Sequence, residues 1–334
     1  MLLLASGGLA AGSVARPYHP AGEIPVGGDG GWDYLTMDSA AHRLYVSHGT
    51  AVDVIDTIAG KVVGRVEDTP GVHGIAVAAD LHRGFTTNGR ENKASLVDLA
   101  SLRTLGKVDT GAGPDSLVYE PGRREVFVFN GRDSTATVID AVAGKAAATI
   151  PLGGRPESAA VDGGLGRVFV DLEDRDAVAA IDPAARVVAA RWTTAPGGEP
   201  AGLAVDEAHH RLFIGCHNER MVMMDAASGR ILATVPIGRG VDAAAFDPGT
   251  QLAFASCGDG TVTVAHEDTP EQLTVVQTLH TEPRARTMAL DPATHRIYLA
   301  SARFEAAPEP AAGTPRPRPK MVPGSFKILV YSQD

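Results

Sequence analysis

The sequence predicts an all-β protein, a seven-bladed β-propeller made of four-stranded antiparallel blades. Three observations predict it. A pattern of strands and turns repeats about every 40 to 45 residues, apolar and polar residues alternate as in half-buried strands, and Gly, Asp and Pro supply the turns. Composition agrees, because 44% of the 334 residues are hydrophobic and the chain has 38 Gly and 22 Pro. That apolar content supplies a large core, and Gly and Pro at this level favour many short strands.

The second strand is the clearest marker of each repeat. It is an apolar and often aromatic run that comes directly after a turn. The runs start at residues 44, 85, 126, 168, 212, 252 and 297. Before each run lies a strand of small residues, such as "HGIAV" or "AGLAV". After it come a strand such as "VDVID" or "ATVID" and an outer strand such as "RILATVPIG". Small residues suit the innermost strand, because bulky side chains from every blade would collide at the centre.

The seventh repeat lacks a fourth strand after "FKILVY", and a matching strand, "YHPAGEIPVG", occupies residues 18 to 27. We therefore expect the N-terminal strand to complete the last blade, which closes the ring and leaves only short, protected edges. An open all-β array is the alternative. Repeat six departs from the pattern, since "VTVAHEDTP" replaces the usual V-x-V-I-D. The sequence therefore does not predict the turn of that blade.

Residues 1–15 are set apart from a single propeller domain predicted over 16–334. They hold a short apolar segment that ends in Ser13-Val14-Ala15, a small-x-small pattern suited to signal cleavage before Arg16. A positively charged n-region is missing, so a frayed apolar tail or a misplaced start codon remains an alternative. We expect an exported protein, periplasmic or extracellular.

Charge and cysteine content exclude several classes of function. The net charge of −10 argues against nucleic acid as a partner, because a phosphate backbone requires a basic surface. Two cysteines do not make a disulfide-rich scaffold or a Cys-x-x-Cys motif. No apolar run of about 18 residues is present, so we expect no membrane-spanning helix. We expect a monomer.

Several segments resemble the tyrosine-valine-threonine-asparagine (YVTN) repeat, namely "RLYVSHG", "TVIDAVAGK", "RVFV" and "RLFIGCHN". Over residues 18 to 334 the chain resembles the YncE-like seven-bladed β-propellers. The resemblance implies the same fold and a role as a binding scaffold, for ligands that are mostly undefined in that family. A shared fold does not by itself imply a shared function.

Polar residues concentrate where the first strand of each repeat starts and where the second strand ends, and both places lie on one face of a propeller. The first-strand starts hold Asp33, His73, Asp115, Glu157, Ala201, Asp242 and Arg286, with Glu199 two residues before the Ala. The second-strand ends hold His48, Asn88, Asn130, Leu172, Cys216, Ser256 and Ser301, with Glu173, His217 and Cys257 next to them. The turns of the opposite face have only scattered charge.

We predict a polar ligand site at this mouth of the central channel. Its predicted residues are Asp33, His48, His73, Asn88, Asp115, Asn130, Glu157, Glu199, His217, Asp242 and Arg286. A ring of carboxylates is costly because like charges repel and burial disfavours ionisation, and Arg286 would supply a countercharge. The alternative is that these residues cap strand ends and contact water.

Three chemistries compete for this site. His48, His73 and His217 with Asp33 would suit Zn²⁺ or another first-row divalent ion, and a pure oxygen set would suit Ca²⁺. Asn88, Asn130, Glu157 and Asp242 could imitate the ligands of a metal-dependent, lactonase-like hydrolase. The third alternative, which we favour, is a non-catalytic protein that binds a small polar ligand, a peptide or a protein. No catalytic residue is assigned, and no cofactor is certain.

Two Asn-Gly-Arg segments, at residues 88–90 and 130–132, are predicted turns with positive φ. Their arginines, Arg90 and Arg132, could rim the pocket and hold an anionic ligand. Five histidines fall in turns of the opposite face and are interpreted as surface residues: His42, His82, His209, His210 and His295.

Two further features stay open. Cys216 and Cys257 lie in adjacent repeats, offset by one position, and could form a disulfide, remain free buried thiols or join His217 at a metal. Repeat seven carries a Pro-rich insertion, "FEAAPEPAAGTPRPRPKMVPGSF", at residues 304–326. It should emerge on the polar face as a disordered loop, a lid over the channel or a docking strap, and its basic "RPRPK" opposes the acidic ring.

Overall fold

Seven four-stranded antiparallel sheets make up the part of the chain that the computed structural model describes, residues 16–306 and 319–334. Each sheet is one blade. The innermost strands of neighbouring blades contact each other all the way round, and blade seven contacts blade one. The predicted seven-bladed propeller is confirmed.

Blades one to six each take four consecutive strands. Blade one has β2 (Trp32–Asp38), β3 (Arg43–His48), β4 (Ala51–Asp56) and β5 (Lys61–Val66). Blade two has β6 (Val72–Ala78), β7 (Arg83–Asn88), β8 (Lys93–Asp98) and β9 (Thr104–Asp109). Blade three has β10 (Pro114–Glu120), β11 (Glu125–Asn130), β12 (Thr135–Asp140) and β13 (Lys145–Pro151). Blade four has β14 (Pro156–Asp162), β15 (Arg167–Leu172), β16 (Ala177–Asp182) and β17 (Val187–Thr193).

The remaining blades complete the ring. Blade five has β18 (Pro200–Asp206), β19 (Arg211–Cys216), β20 (Arg220–Asp225) and β21 (Ile231–Pro236). Blade six has β22 (Val241–Asp247), β23 (Leu252–Cys257), β24 (Thr261–Thr269) and β25 (Gln272–His280). Blade seven has β26 (Met288–Asp291), β27 (Arg296–Ser301), β28 (Lys327–Ser332) and the N-terminal β1 (His19–Pro25). Two short 3₁₀-helices span Ala79–Leu81 and Glu173–Arg175.

Ring closure by the N-terminal strand is confirmed. β1 pairs antiparallel with β28, from His19 opposite Ser332 to Pro25 opposite Lys327. Two apolar side chains anchor it: Tyr18 packs edge-on against Phe254 with 5.3 Å between ring centroids, and Ile24 is only 5% exposed. The Tyr18 hydroxyl also donates to the His295 carbonyl at 2.7 Å. The first and last segments of the chain therefore share one blade.

The core repeats with the blades. Each second strand buries an aromatic side chain at the same register position, and its partner on the first strand is a small or medium residue. The aromatic residues are Tyr45, Phe85, Phe127, Phe169, Phe213, Phe254 and Tyr298, none more than 2% exposed. Their partners are Thr36, Ala76, Val118, Ala160, Ala204, Ala245 and Ala289. Seven apolar clusters result, and each joins two neighbouring blades.

Blade six departs from the other blades where its sequence pattern departs. Its outer two strands are nine residues each, and their hairpin turns at Thr269 and Gln272 rather than at an Asp-based turn. The longer β24 carries Glu267 into a position that is apolar in several other blades.

Two predicted features lie wholly or partly outside the described residues. The predicted leader, residues 1–15, is one of them, and residues 307–318 of the Pro-rich insertion are the other. The two flanks of the insertion are described and meet each other: Phe304 forms a β-bridge with Met321, and the Glu305 N–H donates to the Lys320 carbonyl at 2.8 Å. Across the described ranges, no helix has the length and apolar character that crossing a membrane requires.

Candidate functional site

A β-bulge near the start of the first strand positions the polar residues of one face. In six blades the pairing with the second strand shifts register at this point, for example between Trp32 and Leu35. The residues within the bulges include Asp33, His73, Asp115, Glu157, Ala201 and Asp242. A bulge inserts an extra residue and redirects a side chain, and bulges are frequent beside functional sites. We call the face where the first strands begin the front face, and the opposite one the back face.

Asp33, His73 and Asp115, from blades one to three, form one cluster on the front face. His73 Nδ1 lies 2.7 Å from Asp33 Oδ2 and 3.3 Å from Asp115 Oδ1. The hydrogen bond to Asp33 raises the pKa of His73 to about 8, although burial opposes this. Burial raises the pKa of Asp115 to about 6, partly offset by His73. Near neutral pH the imidazolium therefore sits between two carboxylates, and the three groups are close enough together to hold one metal ion.

The glycine of the first Asn-Gly-Arg segment makes room for this cluster. A Cβ on Gly89 would lie 2.8 Å from His73 Nε2. The segment does lie in a turn, as predicted, but the φ of Gly89 is not positive, and neither is that of Gly131. The need for glycine at residue 89 thus comes from close approach to an imidazole and not from backbone conformation.

A cavity of about 490 Å³ opens on the front face above the cluster. Its charged lining consists of Asp33, His73, Asp115, Arg90, Arg132 and Arg155. Arg155 also pairs with Glu173, with 2.5 Å between Nη2 and Oε2. Within residues 16–306 and 319–334, no carboxylate oxygen lies within 4.0 Å of the Arg90 or Arg132 guanidinium. We call this space the front cavity. It combines a carboxylate-imidazole cluster with two guanidinium groups that have no ion-pair partner in the described part of the chain.

The other half of the mouth is acidic and partly protonated. Burial, reinforced by the Asp115 charge, raises the pKa of Glu157 to about 8. Burial raises the pKa of Asp242 to about 7, although the guanidinium of Arg286, with Nε 3.1 Å from Asp242 Oδ2, opposes the shift. The predicted countercharge role of Arg286 therefore applies to Asp242. Glu157, Asp242 and Arg286 do not line the front cavity.

The residues predicted from the second-strand ends are not brought into the cavity. Asn88 and Asn130 are fully buried, and their amides donate to side chains of their own blades, Ser95 and Thr137 among them. His48 is 6% exposed, its Nδ1 lies within hydrogen-bonding distance of Asp53 Oδ2 at 2.8 Å, and its ring packs on Phe326. Because successive strand residues point to opposite faces of a blade, these side chains enter the contacts between strands and blades and not the channel.

Glu199 and His217 stay together but apart from the cluster. The His217 N–H donates to the Glu199 carbonyl at 3.0 Å, which joins the two loops of blade five. Glu199 is exposed and His217 is half-buried, and neither lines the front cavity. Of the four predicted metal ligands, the structure therefore brings only Asp33 and His73 together, and Asp115 is the third member of their group.

Two charged residues of this region were not among the predicted site residues. Arg155 lines the cavity, and its position one residue before the start of β14 could have indicated this. Asp171 lies on β15, and neither of its carboxylate oxygens has a hydrogen-bond partner in the described parts of the chain. Complete burial, with the charges of Glu157 and Glu173, holds the pKa of Asp171 well above its usual range. Only the tertiary structure shows this, because an Asp at a strand position carries no such signal.

The flanks of the Pro-rich insertion border the cavity. Trp32, which lines the cavity, stacks on Phe326 with 5.0 Å between ring centroids and lies 6.1 Å from the Phe304 ring. The Arg284 guanidinium lies over the Phe304 ring at 4.5 Å. The insertion therefore leaves and rejoins the propeller beside the cavity, on the face where its position in repeat seven places it.

Cys216 and Cys257 are both free and buried. They occupy equivalent register positions, opposite Pro200 and Val241, and are not offset by one residue as the sequence alignment indicated. Burial raises the pKa of Cys216 far above its ordinary value and that of Cys257 to about 12. Of the three alternatives, the structure shows free buried thiols.

We expect the native protein to be inert to thiol reagents, because both sulfur atoms are buried and protonated. A disulfide reagent should titrate no thiol in the folded protein and two per chain after denaturation. A reductant should leave the thermal unfolding midpoint unchanged. A lower midpoint in reductant would instead indicate a bridge between the two cysteines.

Solved structures of other proteins share this fold. Hydrazine synthase from Kuenenia stuttgartiensis is 16% identical with a TM-score of 0.72, and the match covers 87% of this chain and 96% of that chain. A chain of the mitotic checkpoint complex is 16% identical with a TM-score of 0.75, over 90% and 94% of the two chains. The sequence matches no protein-family model and no curated protein. These likenesses show a β-propeller fold alone, and the resemblance to YVTN-repeat proteins stays a prediction.

Proposed function

We propose that the protein is an exported, YncE-like binding protein, and that its front cavity binds a small polar molecule that carries a carboxylate or phosphate group. The observation that carries the proposal is that Arg90 and Arg132 line a cavity of about 490 Å³ and have no carboxylate partner among residues 16–306 and 319–334. A cavity of this size falls within the range of small-molecule sites. Guanidinium groups match the planar, bidentate geometry of such anions.

The lining supports an orientation for such a ligand. Arg90 and Arg132 come from blades two and three, and the Asp33–His73–Asp115 cluster comes from the bulges of blades one to three. An anionic group would contact the guanidinium groups, while a hydroxyl or amino group would donate to the carboxylates. The net charge of −10 makes the three arginines a local exception, which favours a specific anion site over general attraction.

Calorimetric titration with defined probes tests this proposal. The probes are inorganic phosphate, succinate, citrate and glycerol phosphate, each added to the purified chain. We expect one or more of them to bind at one per chain, and Arg132→Ala to weaken that binding roughly tenfold, as loss of a charge-assisted hydrogen bond would. Arg103→Ala is the matched control, because Arg103 is exposed and does not line the cavity. Failure of every probe, or equal affinity in both variants, would overturn the proposal.

A metal-dependent, lactonase-like hydrolase is the second candidate. The close approach of Asp33, His73 and Asp115 favours it, since these groups could hold a divalent ion. Of the ligands first assigned to that hypothesis, Asn88 and Asn130 are buried in their blades, and Glu157 and Asp242 do not line the front cavity. Binding without catalysis is therefore the better-supported function. Zn²⁺-dependent hydrolysis of simple lactones or esters that is lost in Asp33→Asn would reverse this order.

A further inference from the structure

A second group of possible metal ligands lies on the back face, between blades five and six. Asp206 ends β18, His209 follows in the turn, and Glu267 belongs to β24. His209 Nδ1 lies 2.5 Å from Asp206 Oδ2. One ligand atom from each of the three residues lies within 4.8 Å of the others. The group takes residues about 60 positions apart from two different blades, and no part of it contributes to the front cavity.

Glu267 is the observation that points to a ligand. Its residue is 5% exposed, and in the described ranges neither carboxylate oxygen has a hydrogen-bond partner. Asp206 beside it is 1% exposed. A buried carboxylate without a partner costs several kcal/mol, and a second carboxylate next to it increases that cost. Burial, reinforced by Asp206, raises the pKa of Glu267 to about 7.

The fold itself does not require a carboxylate at this position. In blades one, two, three, five and six, the residue that follows the third-strand motif donates its N–H to a carbonyl of the preceding turn, and in blade one that residue is Thr57. In blades two, three and five that residue is Leu99, Ala141 or Ala226, and all three are buried. Glu267 takes the same place in blade six through its N–H bond to the Gln251 carbonyl. Only there does the position carry charge.

The partner of Asp206 also differs from that of its counterparts. Asp162 and Asp247 each pair across the blade boundary with a histidine of the next blade, His210 at 2.8 Å and His295 at 2.7 Å. The residue that would play this part for Asp206 is Gln251, whose amide donates to the Pro248 carbonyl instead. Asp206 therefore contacts His209, in the turn that follows its own strand. Across the blade boundary, Glu267 lies beside Asp206.

We propose that Asp206, His209 and Glu267 bind a divalent cation of the first transition row, with Zn²⁺ the best match. Two carboxylates and one imidazole are a donor set that Zn²⁺ takes readily, whereas Ca²⁺ prefers oxygen ligands alone. The cation balances the charges of the two buried carboxylates and displaces the Nδ1 hydrogen through which His209 contacts Asp206. The His209 side chain is 44% exposed, so the ion enters from solvent and water completes its coordination. Because the ligands come from both blades, the ion joins blade five to blade six.

The experiment uses the full chain carrying Asp115→Asn, so that the front cluster does not contribute. The protein is stripped with a chelator, dialysed and titrated with Zn²⁺ alone while bound metal and the unfolding midpoint are measured. We expect one Zn²⁺ per chain and, at about a hundredfold excess over the dissociation constant, a midpoint higher by roughly 5 °C. Glu267→Ala should fold, because other blades carry Ala at this position, and should lose that shift and at least tenfold in affinity.

The matched control is His295→Ala, which breaks an Asp–His pair of the same face for which the described residues supply no third ligand. It should keep the zinc-induced shift. No Zn²⁺-dependent shift in the Asp115→Asn chain, or an undiminished shift in Glu267→Ala, would overturn the proposal. Because neither substitution touches Arg90 or Arg132, failure here leaves the anion-binding proposal for the front cavity standing.

Discussion

Removal of the N-terminal strand should destabilise the whole propeller and not only its last blade. A chain that begins at Gly27 loses β1, so the edge of β28 is left unpaired, and Tyr18 and Ile24 no longer fill the clusters that join blade seven to blades six and one. Burial of two such side chains contributes about 2 kcal/mol each, before the ladder hydrogen bonds are counted. Because domains are stable by only about 5–15 kcal/mol, we expect most of the stability to be lost.

Thermal unfolding of chains that begin at Arg16 and at Gly27 measures this effect. The peptide of residues 16–26, added in excess to the shorter chain, should recover part of the decrease in unfolding midpoint, because it adds a strand to the exposed edge of β28. Ile24→Asp should reproduce much of the loss, whereas His19→Ala, at an exposed position of the same strand, should not. Equal midpoints for the two chains would contradict the closing role of β1.

Stability should fall as pH rises from about 5 to about 9. The pKa values of Glu157 and Asp242 are raised to about 8 and about 7, so the folded protein binds protons that the unfolded chain releases near pH 4. Unfolded carboxyl groups hold fewer protons in this window, hence the free energy of unfolding decreases with increasing pH. The contribution is fully present below about pH 4 and is lost as pH rises through the folded-state values.

We expect a loss of about 2 kcal/mol for the pair, well below the full value of the shifts, because solvent at the channel mouth screens the charges. Unfolding midpoints across this pH range measure it. The Glu157→Gln, Asp242→Asn double variant should have a flatter profile and should be more stable than the native protein at pH 9. Glu67→Gln, at an exposed position after β5, is the control and should leave the profile unchanged. A profile equally steep in both variants would rule out these two carboxyl groups as its source.

The mouth of the channel thus holds two electrostatic regions. Arg90, Arg132 and Arg155 line the front cavity with the imidazolium of His73. Glu157 and Asp242, whose pKa values are raised to about 8 and about 7, lie outside that cavity. Seven identical residues at the equivalent positions would make the charge distribution around the mouth symmetric. Because the residues differ, the charge distribution is asymmetric, and a small ligand with one anionic end would bind in one orientation.

The sequence determined the number of blades, the closing strand and the core. Each blade pairs an aromatic residue of the second strand with a small or medium one of the first, as Phe254 faces Ala245, and this local pattern repeats at a fixed spacing. The alternation along a strand assigns each side chain to one face of the blade. The sequence also placed Asp33, His73 and Asp115 at equivalent positions, which is why part of the candidate site could be predicted.

Only the tertiary structure decided which polar residues meet. The bulges turn Asp33, His73 and Asp115 toward one another, whereas His48, Asn88 and Asn130 enter the contacts between strands and blades. The same holds for Glu267, which lies among turn and strand residues in sequence but beside Asp206 of the neighbouring blade in space. The physical reason is that periodicity within a strand is a local property, whereas the meeting of side chains depends on register shifts and on packing between blades.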